Sequence, residues 1–279
     1  MKVNGREIAD KLYGDLKERI KTLAKKKITP HLVVILVGEH PASVAYVTLK
    51  QKKGEEIGAK VTILNYPTSI TTEKLAEKVK LLNQDPYVHG ILIQRPLPEQ
   101  VNERLLEMLT DPKKDIDGFH PKSPYTLPLP LAVEEILKEI CRDIHSDRET
   151  PNSGFLFWLR LKNIILLGKG PTGGGPILEY FKTLKVKLHL IDSKTKNPEK
   201  LLQQADIIIS AVGRKHVIKP ENLKKGVILI SVGINRGADK RLHGDYDEEA
   251  IQKIASFYTP TPGGVGPVNV AKLMDNLIT

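Results

Sequence analysis

The stretch that most restricts how this chain can fold is rich in glycine. Asn163-Ile-Ile-Leu-Leu leads straight into Gly168-Lys-Gly170-Pro-Thr-Gly173-Gly174-Gly175-Pro176, and a helical pattern follows. An apolar strand, a G-x-G-x-x-G turn and a helix in this order open a βαβ unit whose backbone can approach a pyrophosphate. Glycines remove the Cβ atoms that would hold a phosphate away, and a helix N-terminus presents positive potential to it. Asp192 closes the next expected strand, about 20 residues on, where a carboxylate suits an adenosine ribose. Gly168, Gly170, Gly173 and Asp192 are therefore candidate dinucleotide-binding residues.

The rest of the chain alternates in the same way. After an amphipathic helix over residues 5–26, with apolar groups at Ile8, Leu12, Leu16, Ile20 and Leu23, strands are expected at Leu32–Val37, Val61–Leu64 and Gly90–Ile93. Helices are expected at Ser43–Ile57, Thr72–Leu82, Asn102–Leu109 and Leu131–Ile140, with loop over 110–130. A second series starts at Asn163. It has strands at Ile164–Leu167, Val186–Ile191, Asp206–Ser210, Val227–Val232 and Ser256–Tyr258, and helices at Gly174–Leu184, Pro198–Gln204 and Val268–Leu277. Such alternation implies parallel strands joined by crossovers, an α/β fold. The polar stretch Arg142–Ser153 contains Pro and Gly and reads as a junction. The expected domains are 1–141, completed by a C-terminal helix at 266–279, and a Rossmann-like 142–265.

Composition excludes several classes. The formal charge of +10 invites a polyanion, but lysine is spread along the chain and the one tight run, Lys25-Lys26-Lys27, ends a helix where cations suit the dipole. Aromatic residues make up 5%, too few for a stacking platform on single strands. A solvated surface is the first reading, an acidic small substrate the second and nucleic acid the third. Cys141 is the single cysteine, which removes a disulfide framework and fits a reducing cytoplasm. The charged N-terminus is not a signal peptide, no Cys/His cluster has zinc spacing, and no apolar run reaches membrane-spanning length.

One further stretch carries possible chemistry. Pro41 suits the first turn of a helix and Gly58 its end, so Ser43, Tyr46 and Lys50 fall at i, i+3 and i+7 on one face. A lysine desolvated beside a phenol can approach neutral pKa and transfer protons at pH 7. By spacing alone a solvated face is the favoured reading, since Lys and Tyr are common on helices.

Five motifs in order resemble the bifunctional methylenetetrahydrofolate dehydrogenase/methenyltetrahydrofolate cyclohydrolase family, along nearly the whole chain. They are Ser43-x-x-Tyr46-x-x-x-Lys50, Gly90-Ile-Leu-Ile-Gln94-Arg-Pro-Leu-Pro98, Lys114-Asp-Ile-Asp117-Gly-Phe-His120, Val232-Gly-Ile234-Asn-Arg236 and Thr261-Pro262-Gly263-Gly-Val-Gly266-Pro267. The resemblance implies two α/β domains flanking a cleft, the second Rossmann-like. It implies Lys50 as the central catalytic group, Tyr46 orienting it near the folate, Gln94 hydrogen-bonding it and Asp117 binding the pterin, with Ser43 among the substrate residues. Pro262, Gly263 and Gly266 would form a backbone wall of the folate cleft. By the same resemblance Lys169, Ser193, Gly213 and Ile234 join the cofactor residues. The implied enzyme oxidises 5,10-methylenetetrahydrofolate and hydrolyses the methenyl product to 10-formyltetrahydrofolate. NADP is the family's default cofactor. A homodimer in the cytoplasm, acting on folates with one or several glutamates and without nucleic acid, membrane or metal, completes the expectation.

The chain also departs from the family. Lys169 stands where an arginine is usual, and Gly170-Pro-Thr-Gly173 replaces bulkier residues. Asp192 precedes Ser193 where the family commonly has an uncharged or basic residue; a carboxylate there accepts from a 2′-hydroxyl and repels a 2′-phosphate, so NAD is expected to compete with NADP. Asn269 replaces a frequent threonine, and Leu127–Leu131 lacks the family's Cys-Thr-Pro pattern. Two alternatives remain beside the bifunctional reading, a member with cyclohydrolase activity only and a non-catalytic dinucleotide-sensing module. The short-chain dehydrogenases, which share Tyr-x-x-x-Lys, place their glycine loop before the tyrosine, and here it follows.

Overall fold

A computed structural model describes residues 1–145, 152–239 and 241–279. In chain order the elements are α1 (Gly5–Lys25), β1 (His31–Val37), α2 (Pro41–Glu56), β2 (Lys60–Tyr66), α3 (Thr72–Gln84), β3 (Gly90–Ile93), α4 (Glu103–Leu109), α5 (Pro128–His145) and α6 (Asn152–Arg160). Then come β4 (Ile164–Leu167), α7 (Gly174–Thr183), β5 (Leu188–Ile191), α8 (Pro198–Leu202), β6 (Ile207–Ser210), β7 (Ile228–Ser231), β8 (Asn235–Arg236), β9 (Leu242–His243), α9 (Glu248–Ile251), β10 (Phe257–Tyr258) and α10 (Val265–Ile278). The chain forms two compact units, Asp10–Pro128 with Val270–Thr279, and Met1–Ala9 with Leu129–Asn269.

The first unit holds a three-stranded parallel sheet in the order β2-β1-β3. Its central strand is apolar throughout Leu32–Val37 and buried on both faces, as parallel strands between helices are. Val33, Ile35 and Val37 meet Leu75, Val79 and Leu82 of α3 and Leu106 of α4 on one face. The Thr71 hydroxyl caps α3 at its start, accepting from the Lys74 N–H. At its end Lys114 Nζ donates to the carbonyls of Leu82, Asn83 and Asp85, at 2.9, 2.8 and 2.6 Å. A single ammonium thus satisfies three carbonyls that a helix terminus leaves without intrahelical partners. It also anchors the segment that carries Asp117.

The second unit has a five-stranded parallel sheet in the order β10-β7-β6-β4-β5, and β8 and β9 form a small antiparallel ribbon. β4, β6 and β7 are buried at every residue. This sheet bears the signature of a doubly wound fold, with β4 at the point where the strand order reverses. The two-domain α/β architecture with a Rossmann-like second sheet agrees with the sequence expectation.

Element boundaries differ in places for identifiable reasons. α5 starts at Pro128 rather than Leu131, because Pro128 and Pro130 both fit a first turn, where a missing N–H costs nothing. Pro267 lies likewise near the start of α10, which begins at Val265 rather than Val268. α6 was not expected at all. It begins at the end of the stretch read as junction and runs beyond it, where Phe155, Trp158 and Leu159 bury one stripe at i, i+3 and i+4. Of that junction, Arg142–His145 end α5, Asn152 opens α6, and residues 146–151 lie outside the described residues.

Replacing Lys114 with Met should lower unfolding stability by about 2–3 kcal/mol, since charge-assisted hydrogen bonds to partly buried carbonyls are lost. Urea unfolding followed by circular dichroism measures it.

Candidate functional site

In the first unit, α2 begins with Pro41 at its first position and stops before Gly58, whose φ of 95° suits the residue beyond a helix end. Between these limits Ser43 and Lys50 are buried and Tyr46 is half-buried, all on one face. Lys50 is only 5% exposed. Its Nζ donates to Gln94 Oε1 at 2.9 Å and lies 4.6 Å from the centroid of the Tyr46 ring. Gln94 follows β3, and its amide orientation is fixed because Nε2 donates to the Arg95 carbonyl at 2.7 Å. Only the oxygen is left to face the lysine.

Burial pushes the Lys50 amine down to about 8, against the opposing pull of Asp117. Asp117 is raised, again chiefly by burial, with Lys50 and Arg95 pulling it down. Each group therefore sits nearer its neutral form than it would in water, while the attraction between them limits the drift. The Arg95 guanidinium stacks 3.4 Å from the Phe119 centroid and pairs with Glu103 and Glu107. Arg95 and Phe119 are parts of this site that the motifs contained but that received no role from sequence, since their partners come together only in the fold.

The second unit assembles the glycine loop at the carboxyl end of β4. Gly168 has φ 85°, a conformation L side chains rarely adopt. A Cβ on Gly174 would lie 1.9 Å from the Gly168 carbonyl oxygen, whereas one on Gly170 would meet nothing within 4 Å. The loop is thus tight beneath and open above. That is the shape a pyrophosphate needs at the N-terminus of α7, and the residues present fit a dinucleotide. Lys169 Nζ forms an ion pair with Asp192 Oδ2 at 2.6 Å, and this contact, with the Lys194 N–H, holds the Asp192 carboxyl below its usual range. Ser193 is exposed beside it. Gly213, with φ 69°, lies after β6, and a Cβ there would be 3.4 Å from the Ile234 carbonyl oxygen; Ile234 itself is 54% exposed.

Comparison with known proteins shows the family of the chain. The model of the tetrahydrofolate dehydrogenase/cyclohydrolase catalytic domain matches residues 3–117, and that of the family's NAD(P)-binding domain matches 157–279. The chain belongs to the tetrahydrofolate dehydrogenase/cyclohydrolase family. It is similar to the bifunctional protein FolD of Prosthecochloris aestuarii, 37% identical over 300 residues, with 100% of this chain and 97% of the relative covered. Among solved structures it resembles the bifunctional FolD enzyme of Campylobacter jejuni, with TM-score 0.90 and 33% identity over 100% of this chain and 97% of the other. It also resembles the Trypanosoma brucei enzyme solved with NADP cofactor and inhibitor, with TM-score 0.86 and 26% identity over 99% and 95%.

The protein is an enzyme with both activities of this family, dehydrogenase and cyclohydrolase, and it uses the family's NAD(P)-binding domain. Of the residues singled out from sequence, Ser43, Tyr46, Lys50, Gln94 and Asp117 lie in the first unit. Lys50 touches Tyr46 and Gln94 directly, and Asp117 reaches it electrostatically. Gly168, Lys169, Gly170, Gly173, Asp192, Ser193, Gly213 and Ile234 lie in the second unit. So do Pro262, Gly263 and Gly266, with the backbone of Gly263 close to the Arg6 guanidinium. Among the described residues no helix is long and apolar enough to cross a membrane.

Substituting Gly174 with Ala forces its Cβ onto backbone, a misfit of about 1–3 kcal/mol. The KM for NADP is expected to rise about tenfold or more, with cyclohydrolase activity retained, in steady-state assays of the two steps run separately.

Proposed function

We propose that Lys50 is the proton-transfer group with which this dehydrogenase/cyclohydrolase hydrolyses its methenyl intermediate. The observation that supports this is a buried amine with a pKa lowered to about 8, held at 2.9 Å by an amide that can only accept from it. In the first step 5,10-methylenetetrahydrofolate is oxidised to the 5,10-methenyl cation; a bound nicotinamide supplies the hydride acceptor. In the second, a water oxygen bonds to the methenyl carbon while neutral Lys50 takes a proton from that water. The resulting ammonium then returns a proton to N5 as the carbon–N5 bond breaks. The new hydroxyl loses its proton to solvent, giving 10-formyltetrahydrofolate with one proton released overall.

Tyr46 packs its ring against the amine and keeps water from solvating it fully. Gln94 holds Nζ in place through either protonation state of the cycle. Asp117 binds the pterin, whose ring N–H and amino donors suit a carboxylate, and Ser43 lines the same face. The same reading takes the protein as a cytoplasmic homodimer acting on folates with one or several glutamates, whose acidic tails the surplus of positive charge attracts.

The Lys169–Asp192 ion pair bears on the choice of dinucleotide. A 2′-phosphate recruits Lys169 but meets the Asp192 carboxylate; a 2′-hydroxyl is accepted by Asp192 without that conflict. NAD therefore competes with NADP in this chain.

Two measurements test these assignments. The cyclohydrolase rate should rise with pH through about 8 and level off above it, because the neutral amine is the base. Lys50→Met should cut that rate roughly 10²–10⁴-fold, and Lys50→Arg should remove the inflection, since a guanidinium does not deprotonate. A Lys50→Met variant of near wild-type rate would refute the role. Separately, Asp192→Ala should raise the ratio of kcat/KM for NADP over NAD by about tenfold; strong NADP preference in wild type, unchanged in the variant, would refute that assignment.

A further inference from the structure

Asp245 was given no role by any motif. It follows β9, is wholly buried, and its carboxylate accepts three hydrogen bonds: from Ser210 Oγ at 2.6 Å, the Val212 N–H at 3.1 Å and the Arg214 N–H at 3.0 Å. Its own N–H donates to Ser231 Oγ at 3.0 Å. Ser210 ends β6 and Ser231 ends β7, so this one side chain and its backbone tie the carboxyl ends of two adjacent strands. A Cβ on Gly233 would lie 2.4 and 2.5 Å from the two carboxylate oxygens and 2.3 Å from the Gly213 nitrogen. The loops after β6 and β7 are thus packed onto the carboxylate with no space left for a side chain.

In a doubly wound sheet a dinucleotide lies across the carboxyl ends of the strands where their order reverses. Here the glycine loop follows β4 and Asp192 follows β5, which places the adenosine half on the β5 side. By the same rule the other half would lie over β6 and β7, whose following residues are 211–214 and 232–235. We propose that Asp245 is the positioning residue for that nicotinamide half: it makes no contact with cofactor itself, and it fixes the backbone of Val212–Arg214 against Gly233 so that the two loops form one rigid wall. The inference rests on the cofactor assignment above and extends it to a residue buried beneath the loops. An ordinary surface or turn aspartate would not be buried with three donors converging on two oxygens, an arrangement only an acceptor without hydrogens can satisfy.

Asp245→Asn keeps the shape but turns one acceptor into a donor that faces other donors. The test compares two ligands on the full-length variant, NADPH, followed by its nicotinamide fluorescence, and adenosine 2′,5′-bisphosphate, which reaches the adenosine half alone. The ratio of their dissociation constants should rise about tenfold in favour of the bisphosphate, with the KM for NADP rising in parallel and kcat at saturating NADP changed about twofold or less. Ser210→Ala, which removes one of the three donors, should give a rise of about threefold and serves if the first variant does not fold. A ratio that moves less than about twofold in Ser210→Ala, or equal weakening of both ligands in a folded Asp245→Asn, overturns the role. Failure of the wild type to reduce either NADP or NAD would count against the cofactor assignment instead, so the two failures are separable.

Discussion

The desolvation of one amine governs the first unit. Water would keep Lys50 charged at any physiological pH, and only burial brings it into the range where it can both take and give a proton. Burial of a cation is costly, and the surroundings limit that cost without removing it. Asp117 opposes the shift at a distance, Gln94 accepts one hydrogen bond, and the Tyr46 ring offers its face. A direct carboxylate contact would have locked the proton in place. The amide oxygen accepts from the ammonium and tolerates the amine.

This arrangement depends on features outside the site. Gln94 presents oxygen rather than nitrogen because the Arg95 carbonyl occupies its N–H, and Arg95 is in turn held by Phe119, Glu103 and Glu107. The segment leading to Asp117 is anchored by Lys114 at the end of α3. In the second unit the same economy of parts appears at the carboxyl ends of β4, β6 and β7. Glycines set the close approaches there, and a buried carboxylate joins the loops.

Alternating apolar strands and helices were legible from sequence because β4 is wholly apolar and β1, β6 and β7 are apolar but for one terminal residue each. The glycine loop was legible from its place between strand and helix. Spacing alone could put Ser43, Tyr46 and Lys50 on one face, but it could not say that the face is buried. Gln94 and Asp117 came from the family resemblance, as nothing local distinguishes a glutamine after a strand or an aspartate before Gly118. Asp245 was illegible for a physical reason: it lies in a polar stretch, Gly244-Asp-Tyr-Asp-Glu-Glu249, and the donors to its carboxylate are 31–35 residues away in sequence. The ion pair between Lys169 and Asp192 was hidden similarly, with each residue read for its own effect on a 2′-group and neither for its effect on the other.

The contact between Gly174 and Gly168 has a bearing on how such a loop can change over evolutionary time. The obstacle to any side chain at Gly174 is backbone, so no rotation of a neighbour can make room. Divergence in this loop is thereby channelled to its outward residues, Pro171 and Thr172, which are exposed and not confined by that approach. Lineages can vary what the loop shows to a ligand while the turn beneath it stays the same.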